Sequence, residues 1–141
     1  MNFLIRSPRF PIGGIFVLAR VIDKVRLQAT GQLPEGYWVG PQSGNRTFDD
    51  RLCCFLGVNF EELQAMINQG GSDEEILDWC FARGRKPDSE QIEVWNGFLS
   101  KRGWRDSGSA GLVQQKIDAG FGDRDDIQTY FDLIDAEEGR A

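Results

Sequence analysis

A chain of 141 residues, 40% hydrophobic and 27% charged, fits one globular domain whose core is large enough to fold without metal or disulfides. A formal net charge of −6 repels polyanions and excludes nucleic acid as an expected partner. No apolar run approaches the ~20 residues of a bilayer span, so no membrane partner is expected either.

The first segment, SPRFPIGG, holds two prolines and two glycines, and residues 1–12 are expected to form an extended arm. Ile12 to Ala19 has the length of a signal-peptide core, but Arg20, Asp23, Lys24 and Arg26 follow at once, which favours a cytoplasmic chain. From about Gly14 to Ala29 the apolar positions Ile15, Leu18, Ile22, Val25 and Ala29 recur at helical spacing, predicting a central helix. Residues 30–46 contain four glycines and two prolines, so a long loop is expected, with Tyr37 and Trp38 as its aromatics.

Three short helices are then expected. FDDRLCCFLG places acids in a first turn and Gly57 after the last. NFEELQAMINQG starts on the N-cap residue Asn59, and SDEEILDWCFARG starts on the Ser72/Glu75 capping-box pair. Beyond Pro87, the spacing of Ile92, Trp95 and Leu99 predicts a helix over 88–102, and LVQQKIDAGFG reads as another. Ile127, Tyr130, Phe131 and Ile134 mark an amphipathic last helix, with residues 136–141 expected as a flexible tail. The fold class is therefore all-α: one compact helical domain over 1–141, built of about six to seven short helices, with more than half of the residues helical and strand nearly absent.

Residue types narrow the chemistry further. The chain has no histidine, which excludes Ser-His-Asp and Cys-His catalysis within it, and no glycine-rich phosphate loop is present. Cys53, Cys54 and Cys80 are odd in number and lack metal-ligand or disulfide-framework spacing, so unbridged thiols, no metal and no cofactor are expected. Charge is uneven along the chain: residues 1–26 carry five cations against one acid, and residues 118–141 carry eight acids against two cations. Such ends attract one another.

Arg20, Asp23 and Lys24 place charges on an otherwise apolar helix, where each must find a partner. Two readings stand open. The charges join the last helix in an ion network, Arg20 or Lys24 pairing with Asp132 or Asp135, which are placed late in a helix whose dipole opposes them. Alternatively, Arg20, Asp23, Lys24 and Tyr37 line an anion-binding pocket.

The segments LARVIDKVRLQATGQLP, FDDRLCCFLGV, GGSDEEILDWCFARGRKP, VWNGFLSKRGW and DRDDIQTYFDLIDAEEGR together resemble the bacterial domain-of-unknown-function family numbered 5069. The resemblance covers nearly the whole chain. It implies a bacterial cytosolic protein and carries no activity, cofactor or catalytic residue with it. The function expected is a non-catalytic module binding a partner protein or a small anionic ligand. The alternative is a small helical enzyme using Asp, Lys, Arg and Tyr for acid–base chemistry on an anionic metabolite.

Overall fold

The computed structural model describes residues 3–43 and 46–140. Met1 and Asn2 of the expected arm, Gly44 and Asn45 of the expected loop, and Ala141 of the expected tail lie outside the described residues. Among the described residues there are seven helices: α1 (Leu18–Ala29), α2 (Phe48–Leu56), α3 (Phe60–Asn68), α4 (Asp73–Arg83), α5 (Ser89–Lys101), α6 (Ser109–Asp118) and α7 (Tyr130–Glu137). They hold 53% of the described residues, among which there is no strand, so the fold is all-α. No helix among the described residues is long and apolar enough to cross a membrane.

Side-chain caps start most of the helices. Thr47, Asn59, Ser72, Asp88 and Thr129 each accept a hydrogen bond from the backbone N–H three residues on, a contact worth about 1 kcal/mol. Ser72 with Glu75 and Asp88 with Gln91 form complete capping boxes. Gly57 closes α2 at φ 71°, a left-handed position that suits glycine. The end of α4 then returns against the end of α2. A Cβ at Gly84 would stand 2.0 Å from the Leu56 carbonyl oxygen, and the Arg85 N–H donates to that oxygen at 2.9 Å.

The first helix starts later than its apolar spacing predicts. Ile12 and Ile15 exchange backbone hydrogen bonds in a tight turn, and the Val17 N–H donates to the Pro8 carbonyl at 2.9 Å. Val17 is thereby held at φ 85°, which is strained for a β-branched residue, and helix begins only at Leu18. The segment expected as an extended arm is packed against the fold where it is described: Ile5 is fully buried, and the Phe10 N–H turns back to the Ser7 carbonyl.

Seven of the twelve residues of α1 are buried, which makes it the centre of the molecule. It packs on α3, and the main apolar cluster gathers it with residues of α2 to α5 and with Phe131 from α7. A smaller cluster of Leu112, Ile127 and Leu133 holds α6 beneath α7. Between α1, the 35–47 loop, α2 and α7 the packing leaves a cleft.

Candidate functional site

The cleft has a volume of about 760 Å³. Val17, Arg20 and Lys24 of the α1 region form one side, Tyr37 and Trp38 arch over it, and Leu133, Ile134 and Glu137 of α7 face them. Arg46, Arg51 and Arg102 close one end, beside Phe48 and Tyr130. Of the residues singled out from sequence, Arg20, Lys24 and Tyr37 line this cleft, whereas Asp23 does not. Asp23 accepts from the backbone N–H, Nε and Nη2 of Arg6 at 2.8, 3.0 and 3.1 Å, on a side of α1 where Arg6 also reaches Asp73.

Arg20 and Lys24 lie one helical turn apart and are only 7% and 8% exposed. Charges so deep are costly without partners. The Arg20 fork grips Glu138 through Nη1–Oε1 at 2.9 Å and Nη2–Oε2 at 2.6 Å. Glu138 also accepts from the Tyr37 hydroxyl at 2.7 Å and from Arg140. Lys24 donates to both oxygens of Asp49, at 2.8 and 3.0 Å, and to the Trp38 carbonyl at 2.9 Å. All three of its protons are thereby used. Asp49 in turn accepts the Gly40 N–H at 2.8 Å, which ties the loop to α2.

The expected pairing of Arg20 or Lys24 with Asp132 or Asp135 is therefore corrected. Asp132 and Asp135 take Arg9 instead, at 2.8 and 2.9 Å, and Asp135 also takes Arg140 at 3.0 Å. The physical reason is where α7 begins. Thr129 caps it, so Asp132 sits in the first turn, where the helix dipole favours its charge. Asp132, Asp135 and Glu138 follow one another at three-residue intervals, and the third of them is the one that reaches Arg20. The expectation of a free end from 136 onward falls with it. Ala136 and Glu137 belong to α7, Glu138 is 7% exposed, and Arg140 donates to Asp135, Glu138 and the Ile5 carbonyl.

The titrations follow from this geometry. Burial alone would raise the Glu138 carboxyl, but the Arg20 fork, Tyr37 and Arg140 overcome it and hold it below its ordinary value. Burial, then the bond to Glu138, raises the Tyr37 phenol. Burial lowers the Lys24 ammonium against the opposing pull of Asp49. Glu137, exposed at the cleft, is raised by partial burial and by the Glu138 charge.

The arginine end is different in kind. Arg46 touches Asp50 through Nε at 3.3 Å, and Arg102 touches Ser107 at 3.1 Å and Asp106 at 3.5 Å, so both keep donors unused. Arg51 has no ion pair and no side-chain hydrogen bond among the described residues. Its guanidinium lies over the Phe98 ring at 5.4 Å, and that of Arg102 lies over the same ring at 6.0 Å. Partial burial, then the charges of Arg46 and Arg102, lower the Arg51 pKa. Sequence reasoning missed these three arginines because they come from a loop, a helix middle and a helix end, with no local pattern linking them.

The thiols stand apart from the cleft. Cys53, Cys54 and Cys80 are all unpaired; burial pushes Cys53 and Cys80 up to about 12, whereas Cys54 is exposed. Among the described residues no group of three potential metal ligands comes together.

The fold and the cleft define a small all-α protein with a mixed-charge cavity whose inner charges are satisfied and whose rim carries one arginine, Arg51, without an ion pair among the described residues. The family model described as Domain of unknown function (DUF5069) matches residues 2–140, and the chain belongs to that family. A search of curated proteins finds no match to it.

Proposed function

We infer that this chain is a non-catalytic binding module of the bacterial cytoplasm that takes a small anionic ligand in the cleft between α1, α2 and α7. One observation carries this reading: Arg51 opens on a cleft of about 760 Å³ without an ion pair among the described residues, beside two further arginines. Arg46 and Arg102 keep Asp50 and Asp106 as partners, and the charge left over at Arg51 is one that an anion from outside would stabilise. A concave cavity of this size suits a small molecule better than a flat protein partner. The cytoplasmic assignment is supported by three unpaired thiols, two of them buried and unreactive.

Binding is favoured over catalysis because the acid–base groups of the inner wall are already engaged. Lys24 has spent its three protons, and Tyr37 and Glu138 hold one another. A second reading rests on Glu137, whose raised carboxyl faces the cleft and makes no hydrogen bond among the described residues. In that reading Glu137 transfers a proton to or from the bound anion.

A thermal-shift panel of anionic metabolites tests the module. A ligand at ~100 times its dissociation constant adds about 2.7 kcal/mol of stability. A panel without any shift counts against anion binding. Turnover of a panel member that Glu137→Gln abolishes would put the enzyme in its place.

A further inference from the structure

We propose that Arg46, Arg51 and Arg102 form an oxyanion subsite that takes the phosphate group of a phosphomonoester, with the ester's apolar body against Phe48 and Tyr130. The inference rests on the anion-binding reading above and names the chemistry and place of the contact.

Three elements deliver the arginines to one end of the cleft. Arg46 stands just before the Thr47 cap of α2, Arg51 within α2, and Arg102 at the C-cap of α5. Phe98 is the common support, since the Arg51 and Arg102 guanidiniums both lie over its ring. An arginine carries five N–H donors in a planar fork. Arg51 spends none of them on a side-chain contact among the described residues, while Arg46 and Arg102 keep most of theirs.

The ligand class follows from counting acceptors. A carboxylate carries one charge on two oxygens, and a single fork already matches its bidentate geometry and its charge. Three forks brought to one end of the cleft from three elements suit a tetrahedral group with three terminal oxygens and a charge near −2, and a phosphomonoester has both. Next to the arginines, Phe48 and Tyr130 meet edge to face with centroids 6.4 Å apart, and both line the cleft. The Tyr130 hydroxyl donates to the Gly108 carbonyl at 2.9 Å, which fixes the ring as an apolar seat. Inner-wall cations do not compete for the phosphate, because Glu138 and Asp49 already neutralise Arg20 and Lys24.

The test is isothermal titration of the full chain with phenyl phosphate, inorganic phosphate and benzoate. Phenyl phosphate is expected to bind tightest, inorganic phosphate more weakly for want of a body, and benzoate about tenfold or more below phenyl phosphate. Arg51→Gln is expected to weaken phenyl phosphate by about tenfold or more, and Arg51→Lys, which keeps the charge without the fork, by less. Thermal melts of both variants verify that they are folded. If none of the three probes binds the wild type, the anion-binding reading falls and the subsite with it. If phenyl phosphate binds wild type and Arg51→Gln alike, the reading stands and the subsite is overturned. Benzoate binding as tightly as phenyl phosphate overturns the phosphate class.

Discussion

The two ends of the cleft carry similar charges and treat them in opposite ways. At the inner wall, Arg20 and Lys24 are almost fully buried, and each holds one carboxylate and one backbone carbonyl. At the rim, Arg46, Arg51 and Arg102 are partly or wholly open to water, and Arg51 has no ion pair among the described residues. Depth explains the contrast. A buried ion costs several kcal/mol unless it is paired, whereas solvent neutralises an exposed one at little cost. A positive charge at the inner wall therefore reports on folding, and one at the rim is free to report on binding. The inner wall also joins distant parts of the chain, since Arg20 with Glu138 ties the first helix to the residue after the last, and Lys24 with Asp49 holds the long loop over the cleft.

The contrast breaks most visibly at Arg20. Replacing it by Met leaves the Glu138 carboxylate buried with Tyr37 and Arg140 only, and stability is expected to fall by about 3–5 kcal/mol in denaturant unfolding. A loss under ~1 kcal/mol would place Arg20 with the exposed ion pairs instead. The Lys24–Asp49 pair comes next. Lys24→Met and Asp49→Asn each strand a partner, so the double variant should lose less than the sum of the two, with a coupling of about 2 kcal/mol. Strict additivity would mean that the loop is held by something other than this pair.

A smaller effect appears in the acid limb of stability. The Glu138 carboxyl lies below its unperturbed 4.5 in the folded chain, so it binds fewer protons folded than unfolded as pH falls toward and through that range. Its contribution is full above the unfolded value and is lost as pH falls through the folded one. Glu138→Gln removes that dependence, and its stability should decline less steeply than wild type below about pH 4.5. Asp73 and Asp132 are lowered in the same sense and maintain a residual acid limb in the variant. Parallel acid limbs in the two proteins would show that Glu138 is not held by its cations.

Local chemistry was legible in the sequence and long-range pairing was not. The caps at Asn59 and Ser72, the glycine after α2 and the apolar stripe of α1 act over three or four residues, and each reading of them matches an element. The late start of α1 escaped, because Val17 is set by a bond to Pro8 and the Ile12–Ile15 turn, while its apolar spacing continues the helical pattern backward. At the other terminus, three missing residues of helix moved Asp132 from an unfavourable dipole end to a favourable one and changed which cation it meets. Glu138 looked like tail because what buries it, Arg20 and Tyr37, is more than a hundred residues away. The arginine rim left no signal at all, since its members belong to three elements that only packing brings together.

The least disruptive change sharpens the comparison most. Arg51→Gln removes a charge from the rim that has no ion pair among the described residues, so nothing is stranded. What it loses is the contact with the Phe98 ring, worth ~0.5–1 kcal/mol at an exposed site. What it gains is relief from the repulsion of Arg46 and Arg102, which outweighs the lost attraction of Asp50 and Asp106 and which salt screens. The two oppose, and the net change in unfolding free energy at moderate salt is expected to stay within about 0.5 kcal/mol. The relief is larger at low ionic strength, so the variant should gain on wild type as salt is withdrawn. Denaturant titrations at ~10 mM and ~1 M ionic strength, where the screening length runs from about 30 to 3 Å, separate the two contributions. A loss of 2 kcal/mol or more, independent of salt, would place Arg51 among the charges that hold the fold together, and the rim would then be a second inner wall.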